Sequence, residues 1–366
     1  MYKVGLITMH NVCNMGAVLQ AYAIQHLIEN KGVSCEIMNY VPNLRKGFHV
    51  YFPKEQGVSK TRRILSNMKW LPNRILWQKP YKEFVSKHLN VSSHKFYSNR
   101  ISYEYEYSYD CMVTGSDQVW NPSSTDGFDP FYFLDFYKGK KVSYAASIST
   151  EKVTEQEKKW LKEKLEKFTA ISVREKTGVD LLINIISTPI EQTLDPTMLL
   201  ERNEWRNLSK ESTIKIKEKY LLIYILGSVP ILEKKAVEIA KQLNLKTVKF
   251  GWDLINNKEI DYSYNFKTPQ DFIKLFEHAS YVVTNSFHGL AYSINFNIDF
   301  TVLPSSPGNP RYISILNMFK LTNRLYDEKK GLVDYSKIDY EFVNNILENE
   351  RKKSLDFIEK NIIGSV

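Results

Sequence analysis

The sequence predicts an α/β protein with two Rossmann-like domains that face one cleft. Its 366 residues are enough for two domains, and 43% of them are apolar, which supports sizeable cores. Short apolar segments alternate with amphipathic ones, as in a parallel sheet covered by helices on both faces. The alternation pauses near Asp195-Pro196 and then restarts, so we expect two successive α/β halves.

The first half supplies most of the predicted strands. Apolar segments of strand length lie at 2–9, 34–41, 110–116, 141–147 and 170–175. A helix is predicted at 14–32 from the spacing of its apolar residues, with Asn14 as its N-cap. A second helix is predicted at 154–168, where Thr154 is the expected N-cap and Glu157 completes a capping box.

The second half repeats the pattern on a smaller scale. Strands are predicted at 220–226, 246–251 and 281–286, and helices at 230–244 and 268–279. The polar, lysine-rich stretch from Arg202 to Lys219 is interpreted as a linker. We therefore place an N-terminal domain at 1–201, with a basic, aromatic insert at 45–87, and a C-terminal domain at 202–335. A helical tail at 336–366 is expected to pack back on the body.

Composition argues against several classes of protein. No run of 18 uninterrupted apolar residues is present, so no transmembrane helix is predicted, and the N-terminus lacks the cleavage site of a signal peptide. Cys13, Cys35 and Cys111 are far apart and form no CxxC pair, so we expect reduced thiols and no structural zinc. These features indicate a cytoplasmic protein without a metal site.

The formal net charge of +9 is concentrated in the basic, aromatic insert. Between Arg45 and Lys87 there are eleven lysines and arginines against two acids, interleaved with aromatic residues. This pattern is typical of contact with anionic lipid headgroups or an anionic acceptor, and equally of a solvated basic face whose aromatics pack inward. No known RNA- or DNA-binding module accompanies it, so nucleic acid is not the expected partner.

Four predicted strand ends carry polar residues, and in open α/β sheets ligands bind beyond the carboxyl ends of the strands. After Val283 come Asn285, Ser286, Phe287, His288 and Gly289, at the point where a strand becomes a helix. A histidine at a helix N-terminus is suited to anion binding and proton transfer near neutral pH. The alternative is a core histidine whose hydrogen bonds are satisfied internally.

The other three junctions lie in the first half. Their candidate residues are Ser116, Asp117 and Gln118 after the strand at 110–116, Arg174 after the strand at 170–175, and Asn14, Gly16 and Gln20 after the first strand. Asp117 is interpreted as a base or an orienting carboxylate, or else as part of an Asx-turn. Arg174 suits bidentate recognition of a carboxylate or phosphate, or else a salt bridge to Glu175 or another acid. The junction after the first strand contains one glycine, Gly16, whereas the dinucleotide-binding fingerprint has three. The sequence therefore gives little support for a dinucleotide site.

In this order the motifs resemble one family. The chain is similar to the polysaccharide pyruvyl transferases in "NMGAVLQAYAIQ", "GSDQVWNP", "SYAASI", "ISVREKTG", "LDPTMLL", "TNSFHGLAYSINF" and the segment around Arg311. Two positions depart from the family pattern: Met15 stands where an aromatic is common, and Leu290 where a threonine is frequent. Neither removes a reactive group.

The resemblance implies a GT-B-like pair of domains and a reaction. A pyruvyl group would move from phosphoenolpyruvate to two hydroxyls of a sugar, lipid-linked or not, without an organic cofactor or metal. His288 would be the acid and Asp117 the base, or the reverse. Arg174 would bind an anionic group of phosphoenolpyruvate through its bidentate guanidinium. The implied substrate-binding residues are Asn14, Gly16, Gln20, Ser116, Gln118, Asn285, Ser286, Phe287, Gly289 and Arg311.

Two other functions remain open from the sequence. One is a GT-B glycosyltransferase that uses a nucleotide sugar, which would place a carboxylate near the late strands of the second domain to hold a ribose. The other is a catalytically silent carbohydrate-binding protein.

Overall fold

The computed structural model describes residues 2–42, 60–97, 108–125, 127–227, 229–251, 257–304, 310–327 and 334–364. The chain forms two compact units. Unit 1 comprises Met1–Pro196 and Lys352–Val366, and unit 2 comprises Thr197–Arg351. The N-terminal part of the predicted insert, residues 45–59, lies outside the described residues.

Unit 1 contains a seven-stranded parallel sheet in the order β3-β2-β1-β4-β5-β6-β7. The strands are β1 Lys3–Ile7, β2 Ser34–Val41, β3 Val91–Tyr97, β4 Cys111–Thr114, β5 Lys140–Ala146, β6 Ala170–Val173 and β7 Ile190–Gln192. The helices that begin in this part of the chain are α1 Met15–Glu29, α2 Lys60–His88, α3 Pro122–Thr125, α4 Glu155–Leu165 and α5 Lys176–Leu182.

Unit 2 contains a five-stranded parallel sheet in the order β10-β9-β8-β11-β12. The strands are β8 Tyr220–Tyr224, β9 Lys246–Gly251, β10 Tyr262–Asn265, β11 Tyr281–Thr284 and β12 Phe300–Val302. The helices are α6 Arg202–Ser209, α7 Pro230–Gln242, α8 Pro269–His278, α9 Phe287–Phe296, α10 Pro310–Met318 and α11 Tyr340–Ile358. Short 3₁₀ segments at Pro196–Met198 and Thr322–Arg324 and a π-helical turn at Glu359–Ile363 complete the described elements.

Local sequence signals explain where two of these helices begin. The side chain of Asn14 accepts a hydrogen bond from the Ala17 N–H at 3.2 Å, which fixes the start of α1. Thr154 and Glu157 form the predicted capping box of α4, with the Thr154 N–H donating to Glu157 Oε2 at 2.7 Å. The predicted fold class, two successive parallel α/β sheets and a C-terminal helix, is confirmed.

The linker prediction is wrong for its first eight residues. Helix α6 occupies Arg202–Ser209, although the stretch is polar in composition. Its N-terminus carries a capping box formed by Glu201 and Glu204, and Trp205 is fully buried, with its indole N–H donating to the Thr197 carbonyl at 3.2 Å. The buried tryptophan and the capping box therefore stabilise a helix in this segment despite its polar composition.

The C-terminal helix belongs to both units. Residues of α11 up to Arg351 lie in unit 2, and those from Lys352 onward lie in unit 1. Within the described ranges, no helix combines the length and the apolar character needed to cross a bilayer.

Candidate active site

The polar junctions of unit 1 lie at one edge of its sheet. β1 pairs with β4 so that Ile7 is opposite Thr114, and β4 pairs with β5 so that Thr114 is opposite Ser143. β5 pairs with β6, where Ala146 is opposite Val173. Because the four strands are parallel and adjacent, the residues that follow them emerge at the same carboxyl edge, where α/β proteins bind ligands.

The turn after β4 depends on a glycine. Gly115 has a φ of +113°, and a Cβ at this position would lie 2.1 Å from the backbone oxygen of Tyr144. The next residue, Ser116, is fully buried, and its hydroxyl donates to Asp195 Oδ2 at 2.9 Å. Asp117 follows with a φ of +67° and is buried. The turn thus presents a serine and an aspartate at the sheet edge, as predicted, and ties the serine to a distant acid.

Arg174 is surrounded by carboxylates. Its side chain is buried, and Nη1 lies 2.8 Å from Asp195 Oδ2. Nε lies 3.3 Å from Glu175 Oε1, and Nη1 lies 4.0 Å from Asp117 Oδ1. Burial lowers the pKa of Arg174, but the facing carboxylates raise it more, so the net pKa is above its ordinary value. The guanidinium is therefore charged and holds three acids around it.

This cluster joins two predicted site residues and adds two more. Asp117 and Arg174 come together, and the salt bridge to Glu175 that the sequence left open is present. Glu175 also accepts a hydrogen bond from Ser147, and is almost completely buried. Asp195 is not among the predicted site residues, although it lies in the quoted stretch "LDPTMLL", at the predicted pause in the alternation of strands and helices. The only feature of the sequence that could have indicated a role for Asp195 is its position before Pro196, at the end of the first half.

The other predicted residues of unit 1 make contacts near the carboxyl edge of its sheet. Gln118 Oε1 accepts hydrogen bonds from Asn121 Nδ2 at 2.6 Å and from Ser124 Oγ at 3.2 Å. Gln20 is fully buried in α1 and donates through Nε2 to Thr8 Oγ1 at 2.7 Å. Asn14 caps α1, and Gly16 is buried in its first turn. The structure thus gives these side chains positioning contacts within unit 1.

In unit 2 the strand-to-helix junction is the one predicted. Asn285 Oδ1 accepts from the Leu226 N–H at 2.6 Å, and Nδ2 donates to the Leu226 carbonyl at 3.0 Å. Asn285 thereby links the ends of β8 and β11, which are paired neighbours. The Ser286 N–H donates to Thr284 Oγ1 at 3.0 Å, so the chain leaves β11 in a fixed direction.

His288 lies in the first turn of α9. Its side chain is buried, and its ring packs edge-on against Phe287 with the centroids 5.4 Å apart. The first bond of the helix ladder runs from the Leu290 N–H to the Ser286 carbonyl at 3.1 Å. The N–H groups of the three preceding residues lie ahead of that ladder, at the positive end of the helix dipole. Such an end is suited to bind a phosphate or carboxylate.

Two further predicted residues complete this junction. A Cβ on Gly289 would lie 2.2 Å from Thr284 Oγ1, so only glycine lets α9 approach β11 this closely. Arg311, near the start of α10, has its guanidinium carbon 6.0 Å from the ring centroid of Tyr312. The Tyr312 hydroxyl in turn donates to the Asn285 carbonyl. Arg311 is therefore next in sequence to a residue that contacts the junction directly.

The two sites offer different chemistry. Unit 1 supplies buried carboxylates oriented by an arginine, and unit 2 supplies a helix N-terminus with a histidine, which suits an anion and a proton transfer. No group of three or more His, Cys, Asp or Glu side chains is placed to hold a metal ion in the part of the chain that the structure describes. The fold and these sites define an α/β protein with polar strand ends in each of its two units.

A comparison with family models identifies the family. The model described as polysaccharide pyruvyl transferase matches residues 14–307, which is most of the chain and includes the junctions after β4, β6 and β11, whereas Arg311 lies beyond the match. The chain belongs to the polysaccharide pyruvyl transferase family. The predicted family is thus confirmed.

Solved structures that match the chain over nearly its whole length have low sequence identity. A glycosyltransferase from Streptomyces sp. SF2575 complexed with thymidine diphosphate is 11% identical, with 98% of each chain covered and a TM-score of 0.48. A UDP-GlcNAc 2-epimerase from Neisseria meningitidis bound to UDP-GlcNAc is 11% identical, with 100% of this chain and 96% of that chain covered and a TM-score of 0.49. A search of curated proteins found no match.

Proposed function

We propose that the protein transfers the pyruvyl group of phosphoenolpyruvate onto two hydroxyls of a saccharide, forming a cyclic ketal and releasing inorganic phosphate. One observation carries the proposal: the family match over residues 14–307 includes Asp117, Arg174 and His288, the three residues assigned to the chemistry. Their types suit a donor with two anionic groups and an acceptor whose hydroxyls lose protons.

The reaction balances without a redox partner. A proton delivered to the methylene carbon of phosphoenolpyruvate makes C2 electrophilic, and the first hydroxyl oxygen forms a bond to C2. The C2–O bond to phosphate then breaks, and the second hydroxyl closes the ketal. Of the two hydroxyl protons, one replaces the proton used to make the methyl group and the other leaves with phosphate. The protein must therefore provide one acid and one base.

The residues of each unit fit part of this chemistry. The α9 N-terminus suits a dianionic phosphate, and His288 beside it is assigned the proton transfer to the methylene carbon. Asp117 is assigned the acceptance of a hydroxyl proton, and the nearby guanidinium of Arg174 stabilises negative charge there. The reverse assignment of acid and base uses the same residues.

We also propose that the acceptor is a precursor of a cell-surface polysaccharide and that the protein is cytoplasmic, contacting the inner membrane face through α2. The described part of α2 exposes three apolar residues, Met68, Ile75 and Leu76, at 62%, 53% and 49%. Their spacing puts them within about 100° of the helix circumference. The same segment carries most of the basic insert, and apolar residues flanked by Lys and Arg are typical of helices that lie on anionic membranes.

The test uses the purified full chain with phosphoenolpyruvate and a panel of methyl hexopyranosides. Mass spectrometry should detect a product heavier than its acceptor by one pyruvyl group, with phosphate released in equal amount. In parallel, phosphoenolpyruvate should raise the thermal unfolding midpoint, and nucleotide sugars should not. Stabilisation by nucleotide sugars alone would support the glycosyltransferase, and saccharide binding without phosphate release would support a silent carbohydrate-binding protein.

A further inference from the structure

A single carboxylate oxygen joins two neighbours of Asp117. Asp195 is 1% exposed, and its Oδ2 accepts hydrogen bonds from the Ser116 hydroxyl at 2.9 Å and from Arg174 Nη1 at 2.8 Å. Ser116 directly precedes Asp117, and Arg174 Nη1 lies 4.0 Å from Asp117 Oδ1. Asp195 is thus bonded to two groups that border the residue assigned to proton transfer.

The position of Asp195 is itself fixed by the fold. The residue before it, Leu194, donates its N–H to Ser354 Oγ at 3.0 Å, and its carbonyl accepts from the Tyr144 hydroxyl at 2.9 Å. Tyr144 lies on β5, and Ser354 lies on the part of α11 that belongs to unit 1; both are buried. The backbone that carries the Asp195 carboxylate is therefore held by two other elements of unit 1.

Asp117 needs support from its neighbours because of its backbone conformation. Its φ of +67° is in the left-handed region, which costs energy for a residue other than glycine. Its carbonyl accepts hydrogen bonds from the N–H groups of Val119 at 2.8 Å and Ser147 at 2.9 Å, which hold the turn on its C-terminal side. The hydrogen bond from Ser116 to Asp195 holds the turn on its N-terminal side.

Arg174 divides its contacts unequally between Asp195 and Asp117. Nη1 is hydrogen-bonded to Asp195 Oδ2 at 2.8 Å, whereas its separation of 4.0 Å from Asp117 Oδ1 is beyond hydrogen-bond distance. The side chains of all three residues are almost completely buried, so water screens their charges little. If Asp195 did not retain the guanidinium, the guanidinium would be attracted into direct contact with Asp117.

The separation between Arg174 and Asp117 affects proton transfer. A carboxylate that is paired directly with a guanidinium is held in its ionised form, so it accepts and releases a proton less readily. Direct pairing is therefore unfavourable whether Asp117 acts as the base or as the acid. At 4.0 Å, Nη1 makes no hydrogen bond to Oδ1 that a sugar hydroxyl would have to displace.

We propose that Asp195 is a positioning residue for Asp117. Its carboxylate retains Arg174 Nη1 and the Ser116 hydroxyl, and thereby keeps Asp117 oriented and out of direct contact with the guanidinium. The inference rests on the proposed function for the role of Asp117 in proton transfer. It gives the two acids different tasks: Asp117 exchanges the proton, and Asp195 maintains the geometry in which the exchange takes place.

Two variants separate the charge of Asp195 from its hydrogen bond to Ser116. Asp195→Asn keeps a side-chain oxygen that can accept from the Ser116 hydroxyl, but it removes the charge that retains Arg174. Ser116→Ala removes that hydrogen bond and leaves the ion pair. We expect Asp195→Asn to lower kcat by about 10- to 100-fold, which is part of the usual contribution of proton transfer. Ser116→Ala should lower kcat by a few-fold, and the KM of phosphoenolpyruvate and of the methyl hexopyranoside should change little in both variants.

Glu175→Gln is the matched control, because Glu175 is a buried acid of the same cluster that contacts Arg174 through Nε at 3.3 Å. This variant removes one negative charge but leaves the hydrogen bond between Nη1 and Asp195, so it should lower kcat less than Asp195→Asn does. Equal losses in the two variants overturn the proposal, and so does a change confined to the KM of phosphoenolpyruvate. If Asp195→Asn does not fold, an unchanged kcat in Ser116→Ala overturns it.

Crystal structures of the variants test the geometry without any activity. In Asp195→Asn, Arg174 Nη1 should move to about 2.8 Å from Asp117 Oδ1, the usual length of a hydrogen bond between charged groups. In Glu175→Gln the separation should stay near the 4.0 Å of the wild type. If the wild type transfers no pyruvyl group, the proposed function fails, but the two structures still decide the positioning role. An unchanged separation in Asp195→Asn overturns that role.

Discussion

Replacing His10 with glutamine should change how the stability of unit 1 depends on pH. The unfolded chain binds a proton at His10 with a pKa near 6.5, whereas the folded ring does so only near pH 4 because it is buried. Above pH 6.5 both states are neutral, and His10 adds no pH dependence. As the pH falls below 6.5, the unfolded state holds one more proton and is stabilised relative to the folded state.

The magnitude follows from the interval between the two pKa values. Each pH unit across which the unfolded chain holds one additional proton costs about 1.4 kcal/mol of unfolding free energy. The interval of about 2.5 pH units therefore corresponds to about 3 kcal/mol in total. Between pH 7.5 and pH 5, before the folded ring titrates, the expected loss is about 2 kcal/mol.

Urea unfolding at pH 7.5, 6 and 5, followed by circular dichroism and tryptophan fluorescence, measures this loss. Glutamine does not titrate, so His10→Gln should lose about 2 kcal/mol less than the wild type over the same range. Groups common to both proteins, such as Asp129, cancel in the difference. Parallel pH profiles for the two proteins would refute the assignment of a buried, neutral His10.

Three further predictions address the proposed chemistry. His288→Ala should lower turnover by about 10²–10⁴-fold while the thermal midpoint stays near that of the wild type; turnover close to wild type would remove the acid–base role, and unfolding would favour a structural histidine. Arg174→Lys should impair the use of phosphoenolpyruvate more than of the acceptor, because the resemblance assigns Arg174 to the donor and an ammonium lacks the bidentate geometry of a guanidinium; an unchanged KM for phosphoenolpyruvate would exclude Arg174 from donor binding. The protein should co-sediment with anionic but not neutral liposomes at low salt, and less so at high salt. Charge reversal at Arg62, Arg63 and Lys69 should weaken this binding. Binding that is independent of lipid charge would count against the proposed membrane contact.

The sequence was informative where a local signal determines the structure. The start of α1 follows from one cap residue, Asn14, and that of α4 from the pair Thr154 and Glu157, all within a single turn of their helices. The alternation of strands and helices is likewise a local pattern, and it predicted both parallel sheets. These features need no knowledge of which distant segments meet.

The acidic cluster could not be predicted in the same way. Ser116 and Asp195 are 79 positions apart, and their hydrogen bond depends on how β4 and the segment after β7 are placed by the sheet. No periodicity or motif in the sequence predicts this contact between Ser116 and Asp195. The sequence offered Glu175 as a possible partner of Arg174, whereas the contacts of Arg174 with Asp117 and Asp195 became apparent only from the structure.

Membership in a motif does not say what a side chain does, and Asn285 and His10 illustrate the difference. Asn285 lies inside the quoted "TNSFHG" stretch, yet the oxygen and the nitrogen of its side-chain amide are both hydrogen-bonded to the backbone of Leu226. These contacts account for the alignment of β8 and β11. His10 lies outside every motif that identified the family, yet its ring is buried, and Nδ1 is hydrogen-bonded to the Thr8 carbonyl oxygen. The properties of both residues therefore follow from their contacts and burial in the fold, which membership in a motif does not record.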